Sequence, residues 1–414
     1  MIRDGHPSFS IAFFEEICYT KSDFTKEGSM KRHLAFCAVA SSVLLLLSAC
    51  SGAQLANIDE FGIFGTQARW VYVPVDAQRE AQIGESIGQI AREIDASLAV
   101  SSEESFIARF NAADAGETVE IDAVTYQALL AAKSVYAETD GAYNPATGLL
   151  VDLWGFSPRH MAVDYVPTMP YDRAEPELHL PDEKYIALFS DAALNDFGAV
   201  EVYEENGRFY ATKPENAYVE ADGVRYTMQL NLGGIGKGYC VDEVRDHLLS
   251  QGQTQGYYTL GGSSMALFSD PMTDDGVWEV SLNAPREQFG ESYAALRVRD
   301  TVLSVSGDDE QFYMIDGVRY SHIIDPETGI PVGEGSHVVC ATIVGGSAAE
   351  GDARATAIVT MELSEALDYA RSHVDAFGTV FLWYDAAADA YTVYSNAGDA
   401  LLMHAEGLSV EVIA

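Results

Sequence analysis

Ser321-His322-Ile323-Ile324-Asp325-Pro326-Glu327-Thr328-Gly329-Ile330-Pro331 ends a strand in a histidine and follows it with two turn-forming pieces, Asp325-Pro326 and Thr328-Gly329-Ile330-Pro331. The strand is half of a hairpin: Gln311–Ile315 and Val318–His322 flank Asp316-Gly317, as Val200–Tyr203 and Arg208–Thr212 flank Asn206-Gly207. Helical spacing interleaves with these hairpins. Apolar residues at 83, 87, 90, 94 and 98 predict an amphipathic helix from Gln78 to Leu98. Further helices are expected over Ala123–Glu138, Tyr239–Leu249, Ala348–Met361 (opened by a capping box, Ser347 with Glu350) and 364–372. Strands are expected over Arg69–Val75, Gly256–Leu260, Val277–Leu282, Val338–Val344 and 379–384, with a final strand pair. Helices mixed with antiparallel hairpins predict an α+β fold, with largely antiparallel sheets and flanking helices, rather than a doubly wound sheet. A histidine held at a sheet edge by rigid turns is a candidate proton acceptor, because its unperturbed pKa lies near neutrality.

The 414-residue chain is 48% hydrophobic and 21% charged, as expected of a packed protein. Its 24 Lys+Arg against 63 Asp+Glu give a formal charge of −39. That balance offers no basic surface to displace counterions and argues against nucleic-acid binding. It also means that an anionic ligand needs local compensation by a metal, a lysine or backbone N–H groups.

Lys31-Arg32-His33, the apolar run Leu34–Leu47 and Leu47-Ser48-Ala49-Cys50 have the layout of a secretory signal ending in a lipobox. The expected mature start is a lipidated Cys50 at the outer face of the bacterial cell membrane, with residues 1–50 as leader. Met30 just before the basic group is an alternative start. Residues 51–65 read as a tether, 66–414 as one catalytic domain, and the Pro- and charge-rich 157–183 as a surface insertion. Cys240 and Cys340, the cysteines outside the leader and lipobox, are expected to be buried free thiols.

Three further motifs bear on chemistry. Asn231-Leu232-Gly233-Gly234-Ile235-Gly236-Lys237-Gly238 joins a strand to a helix. Glycines admit close approach of a ligand, the helix start offers N–H groups to an anion, and Lys237 adds a full charge. The spacing fits neither a Walker loop nor a dinucleotide fingerprint. Asp352 and Thr356 stand four apart on one helix face. A carboxylate and a hydroxyl together suit Mg²⁺, which takes few protein ligands and completes its shell with water and phosphate. Asp140-Gly141-Ala142-Tyr143-Asn144-Pro145 is turn chemistry around a tyrosine able to stack on a flat ring, or simply to pack. Gly261-Gly262 and Ser304-Val305-Ser306-Gly307 read as further small-residue turns lining a cleft.

In combination and in order, these pieces resemble the FAD:protein FMN transferase (ApbE) family. The resemblance runs through Phe64-Gly65-Thr66, Ser105–Asn111, Gly141–Phe156, Asn231–Asp242, Leu260–Gly262, Ser304–Gly307, Tyr320–Pro331 and Gly351–Thr356. It implies an enzyme that splits FAD at the diphosphate, releases AMP and leaves FMN on a threonine or serine hydroxyl of an acceptor protein. The acceptors it implies are flavin-carrying subunits of membrane redox complexes. It implies Mg²⁺ held by Asp352, Thr356 and the Gly234 carbonyl. It implies FAD contacts from Ala142, Tyr143, Asn144, Asn231 and Lys237, His322 as base, and Ile323 beside the flavin nucleotide. The chain departs from the family at Asn144 and Asn231, where Asp is frequent, and at Ser101, where an aromatic is frequent. FAD pyrophosphatase activity and non-catalytic flavin binding by a lipoprotein are the alternatives that sequence leaves open.

Overall fold

The computed structural model describes residues 54–100, 102, 105–157 and 180–414. Strands β1 (Ala56–Ile63) and β2 (Thr66–Tyr72) lead into helices α1 (Ala77–Leu98) and α2 (Phe106–Ala112), strand β3 (Thr118–Ile121) and helix α3 (Ala123–Glu138). Short helices α4 (Gly148–Leu153), α5 (Glu183–Phe189) and α6 (Ala192–Asn195) precede strands β4 (Glu201–Glu205), β5 (Arg208–Thr212), β6 (Tyr218–Ala221) and β7 (Val224–Thr227). Helix α7 (Gly233–Ser250) is followed by β8 (Tyr257–Leu260), β9 (Ser264–Leu267), β10 (Trp278–Asn283), β11 (Ser292–Val298) and β12 (Thr301–Gly307). Then come β13 (Phe312–Ile315), β14 (Val318–Ser321), β15 (His337–Val344), α8 (Ala348–Thr360) and α9 (Leu363–Ser372). Strands β16 (Gly378–Asp385), β17 (Ala390–Ser395), β18 (Leu401–Met403) and β19 (Ser409–Val412) close the chain.

Nine strands form one sheet in the order β1-β2-β8-β9-β12-β15-β16-β17-β19. Every pair is antiparallel except β17 with β19. Alternation along each strand splits the side chains between two cores. Tyr258, Ala266, Val302, Ala341 and Phe381 face the helices α1, α3, α7 and α8. Tyr257, Met265, Leu267, Leu303 and Leu382 face a small sheet, β10-β11-β18, through Trp278, Val280 and Leu296. The main sheet is thus covered on both faces, and its central strands are mostly apolar, with a few buried hydroxyls.

Helices α7 and α8 cross at their N-terminal ends at backbone contact. A Cβ on Gly238 would lie 2.1 Å from the Ala348 carbonyl oxygen. The same crossing is tied by hydrogen bonds in both directions. The Asp242 carboxylate of α7 accepts from the Ala348 and Ala349 N–H groups, both at 2.9 Å, and from Ser347 Oγ at 2.7 Å. Asp352 of α8 accepts from the Gly238 N–H at 2.6 Å. These bonds satisfy orphan donors of α8 from outside the helix.

Several elements differ from the expectation. The expected tether contains β1, whose alternating burial lets Ile58 pack on Gly84 of α1. The glycine cluster is not a turn before α7 but its first two turns, with Tyr143, Phe64 and Ala348 close against Gly234, Gly236 and Gly238. Ser304–Gly307 is part of the central strand β12, not a turn; its small side chains let Gly351 of α8 rest on Ser304. The Gly141–Phe156 segment of the resemblance includes α4, a helix not among those expected. Only half of the capping box forms: Ser347 Oγ accepts from the Glu350 N–H, while the Glu350 carboxylate turns to Arg354 at 3.1 Å. Both hairpins form as expected, with Asn206-Gly207 and Asp316-Gly317 at positive φ. Cys240 and Cys340 are buried and unpaired. The lipobox, Ser101 and most of the expected insertion lie outside the described residues. Among the described residues no helix is long and apolar enough to cross a membrane.

The crossing predicts a severe outcome for Gly238→Ala. A methyl group placed against backbone cannot be relieved by a rotamer change, so a loss of at least ~2 kcal/mol is expected. Urea denaturation measures it, and a variant as stable as the parent contradicts the contact.

Candidate active site

Central strands supply a floor of hydroxyls. Ser264 on β9 and Ser304 on β12 are cross-strand partners. Ser264 Oγ donates to the Asp352 carboxylate at 2.8 Å, and Ser304 Oγ donates to the Ala348 carbonyl at 3.1 Å. Asp352 is 5% exposed. Burial pushes its carboxyl up to about 6, against the pull of Lys237 and of its Ser264 and Gly238 donors. An ionised carboxylate has about four acceptor sites, so these donors leave room for a cation. Thr356, one turn on, donates to the Asp352 carbonyl at 2.9 Å and lies 3.2 Å from Ser306 Oγ.

The start of α7 meets these groups. A Cβ on Gly234 would stand 3.1 Å from Tyr143 Cε2 and 3.3 Å from Thr356 Oγ1. Glycine here therefore holds the helix start, the Thr356 hydroxyl and the tyrosine ring together. Tyr143 is 3% exposed, so it packs and presents no open ring face for stacking. Its hydroxyl is buried without a hydrogen-bond partner among the described residues. Such an orphan costs about 1–3 kcal/mol unless a ligand or water satisfies it. This orphan beside a carboxylate, a hydroxyl and a helix start fits a hydrated hard cation with phosphate oxygens.

The amides at the two departures have assigned work. Asn144 Nδ2 donates to the Asn195 carbonyl at 2.7 Å, and its Oδ1 accepts from the Ala146 N–H at 2.9 Å. An aspartate would set an anion against that carbonyl, so the amide suits this loop. Asn231 Oδ1 caps the Gly233 N–H at 2.8 Å, and its own N–H donates to the Pro145 carbonyl at 2.8 Å. The 142–147 loop and the helix start are thereby joined. Thr360 Oγ1 of α8 donates to the Ala142 carbonyl at 3.0 Å, which fixes the other end of the loop.

Lys237 Nζ donates to Ser263 Oγ at 2.5 Å and lies 3.9 Å from Glu310 Oε2. Its charge bears on both Asp352 and His322. His322 sits just past β14, half-buried, with its ring 6.4 Å from that of Phe156. Burial holds its pKa below the ordinary value; Glu310 opposes this and Lys237 reinforces it. The Gln311 carbonyl accepts from the His322 N–H at 2.9 Å and meets Nδ1 at 3.3 Å. A carbonyl only accepts, so Nδ1 carries the proton and Nε2 keeps the lone pair. Ile323 is buried, and its carbonyl accepts from the Val332 N–H at 2.8 Å. The Asp325 turn closes on itself, with Thr328 Oγ1 donating to Asp325 Oδ2 at 2.7 Å.

Sequence reasoning gave no role to Ser264, Gln311, Asp242 or Asn111. Asn111 ends the Arg-Phe-Asn piece. Its Nδ2 donates to the Leu230 carbonyl at 2.8 Å and its Oδ1 accepts from the Leu230 N–H at 2.7 Å, pinning the residue before Asn231. Spacing alone carried no signal for these partners, which lie 88 and 119 residues from the groups they hold.

Comparison with known proteins agrees with this architecture. The model of the ApbE family matches residues 64–380. The chain belongs to the ApbE family. A FAD:protein FMN transferase of Salmonella typhimurium is 27% identical over 350 residues, covering 82% of this chain and 90% of the relative. A FAD:protein FMN transferase of Treponema pallidum is 27% identical over 313 residues, covering 73% and 79%. In fold, the chain matches the flavin transferase ApbE of Vibrio cholerae with a TM-score of 0.65 at 23% identity, covering 83% of this chain and 97% of that one.

The buried carboxyl predicts a pH dependence. Asp352 has a folded pKa of about 6, above the ~3.9 of an unfolded aspartate. The folded state therefore binds the extra proton between those values, and its stability falls as pH rises from about 4 through about 6. Asp352→Asn should remove that component, worth a few kcal/mol at ~1.4 per pKa unit. Melting curves of parent and variant in cation-free buffer at pH 4.5 to 7.5 should diverge with rising pH; parallel curves contradict the assignment.

Proposed function

We propose that this chain transfers FMN from FAD to a threonine or serine hydroxyl of an acceptor protein and releases AMP. One observation carries the reading. A helix start, a lysine, and a buried carboxylate beside a hydroxyl converge where a diphosphate must sit, and a neutral histidine stands next to that lysine. The names of the relatives support it. Phosphoryl transfer of this kind depends on positioning and charge neutralisation more than on covalent help from the protein.

Asp352, Thr356 and the Gly234 carbonyl would hold Mg²⁺. When bound, that ion supplies Lewis-acid polarisation of phosphate oxygens and neutralises developing charge. Ala142, Tyr143, Asn144 and Asn231 would line the nucleotide. Lys237 offers its ammonium to the diphosphate, at the positive end of the α7 dipole. His322 Nε2 accepts the proton of the acceptor hydroxyl as the oxygen attacks the FMN phosphorus. The bond from that phosphorus to the bridging oxygen breaks, and AMP leaves with that oxygen. A hydroxyl from water in place of the acceptor's would give free FMN, the pyrophosphatase outcome.

The lipobox supports anchoring of the mature chain to the outer face of the cell membrane through Cys50. The acceptor we propose is an extracytoplasmic subunit of a membrane redox complex, within reach of such an anchor.

Two experiments test these readings. Mass spectrometry of an acceptor protein after incubation with FAD and Mg²⁺ should show an added FMN with matching AMP release. His322→Ala should lose transfer by roughly 10²–10⁴-fold with FAD affinity retained. Because the ring's pKa is depressed, the parent's kcat should fall on the acid side only below the ordinary ~6.5 of histidine. AMP release without mass gain on an acceptor overturns transfer, and full activity of His322→Ala removes the base. Separately, Cys50→Ala should release the protein from membranes; a variant that still pellets with membranes and whose N-terminus is unprocessed contradicts the anchor.

A further inference from the structure

Asp308 is a fully buried carboxylate that the chemistry above does not use. It directly follows β12. Arg286 grips it bidentately, Nη1 to Oδ1 at 2.8 Å and Nη2 to Oδ2 at 2.5 Å. His337 Nε2 lies 2.9 Å from Oδ2, with His337 Nδ1 2.9 Å from the Gly335 carbonyl. Burial pushes this carboxyl up, but the His337 and Arg286 hydrogen bonds outweigh it and hold it below the usual carboxylate range. The main chain is tied as well. The Asp308 N–H donates to the Val339 carbonyl at 2.9 Å, and its carbonyl accepts from Arg319 Nη1 at 3.2 Å. Four parts of the fold meet at this one residue: the end of β12, strand β15, the turn between β10 and β11, and strand β14.

What Asp308 anchors is a four-residue strap, 308–311. The strap faces the active site at two points. Glu310 Oε2 stands 3.9 Å from Lys237 Nζ, and the Gln311 carbonyl binds the His322 N–H and faces Nδ1. Among the described residues no side chain hydrogen-bonds the His322 ring; the Gln311 carbonyl does. Its tautomer therefore depends on where one backbone carbonyl is placed, and that placement follows from the clamp three residues earlier. An unpaired charge at Asp308 would be costly, so the Arg286 fork and His337 make the position rigid as well as buried.

We propose that Asp308, clamped by Arg286 and His337, is a positioning residue that sets the tautomer and orientation of His322 through the 308–311 strap. The proposal rests on the transfer reading for what His322 does, but not for how it is held. A displacement of about 1 Å in such a group is enough to cost on the order of 100-fold in rate.

Two readouts together decide it. ¹⁵N-imidazole NMR of the ligand-free protein reports the His322 tautomer without any turnover. The parent should show a single Nδ1–H form, and Asp308→Asn a mixture of both. In FMN transfer, Asp308→Asn should lower kcat by roughly 10- to 100-fold with KM for FAD unchanged. The same substitution in a His322→Ala background should cost nothing further, because the group it positions is gone. Arg286→Gln, which keeps the carboxylate and removes only the fork, should move both readouts the same way, and it decides if Asp308→Asn does not fold. An unaltered tautomer, or an equal loss in both backgrounds, overturns the proposal. A parent that shows the Asp308-dependent tautomer yet adds no FMN to an acceptor overturns the transfer reading and leaves the clamp standing.

Discussion

The backbone contact between α7 and α8 is the constraint on which the site depends. Gly238 has no side chain because the Ala348 carbonyl occupies that space. Once the helices touch there, each supplies a carboxylate to the other: Asp242 to the start of α8, and Asp352 to the Gly238 N–H. Asp352 is thus held by the crossing that also brings Gly234 against Thr356. Burial of a carboxylate at such a point is unfavourable for folding, as its raised pKa shows. The same burial strengthens its attraction for a cation, since little water screens it.

Charge shapes the rest. A chain of −39 repels a diphosphate at long range, so binding must come from a few local groups. Among the described lysines, Lys133 donates to the carbonyls of Phe197, Gly198 and Val200, Lys184 pairs with Asp222, and Lys213 is buried on the carbonyls of Asn111 and Ala113. Lys237 instead touches a serine hydroxyl, with its carboxylate partner at 3.9 Å. Of the four, it is the one on the first turns of α7, where its charge bears on Asp352.

The helices, both hairpins and the α+β class were legible because each has a local signal: helical spacing over 83–98, and Asn206-Gly207 or Asp316-Gly317 in their turns. Asp352 with Thr356, and His322 before its Asp-Pro turn, have local patterns common in any protein, and only the family resemblance singled them out as site residues. What could not be read is what tertiary contact decides. The glycines from 233 to 238 look like a loop by propensity, yet they are helical, with Tyr143, Phe64 and Ala348 close against Gly234, Gly236 and Gly238. Ser304–Gly307 looks like a turn, yet it is a central strand thinned to admit α8. Tyr143 could be read either to stack or to pack, and burial decides for packing. The clamp of Arg286 and His337 on Asp308 joins residues 22 and 29 positions away, with no local pattern to announce it.

We propose that the α7–α8 crossing builds one place for a hard cation and a diphosphate. The most direct measurement is a crystal structure with FAD and Mn²⁺ in place of Mg²⁺, located by anomalous scattering. The account predicts one manganese peak at roughly 2.0–2.3 Å from an Asp352 oxygen, Thr356 Oγ1 and the Gly234 carbonyl, bridging to the diphosphate. A cation bound elsewhere, or FAD seated with its diphosphate away from Lys237, would contradict it.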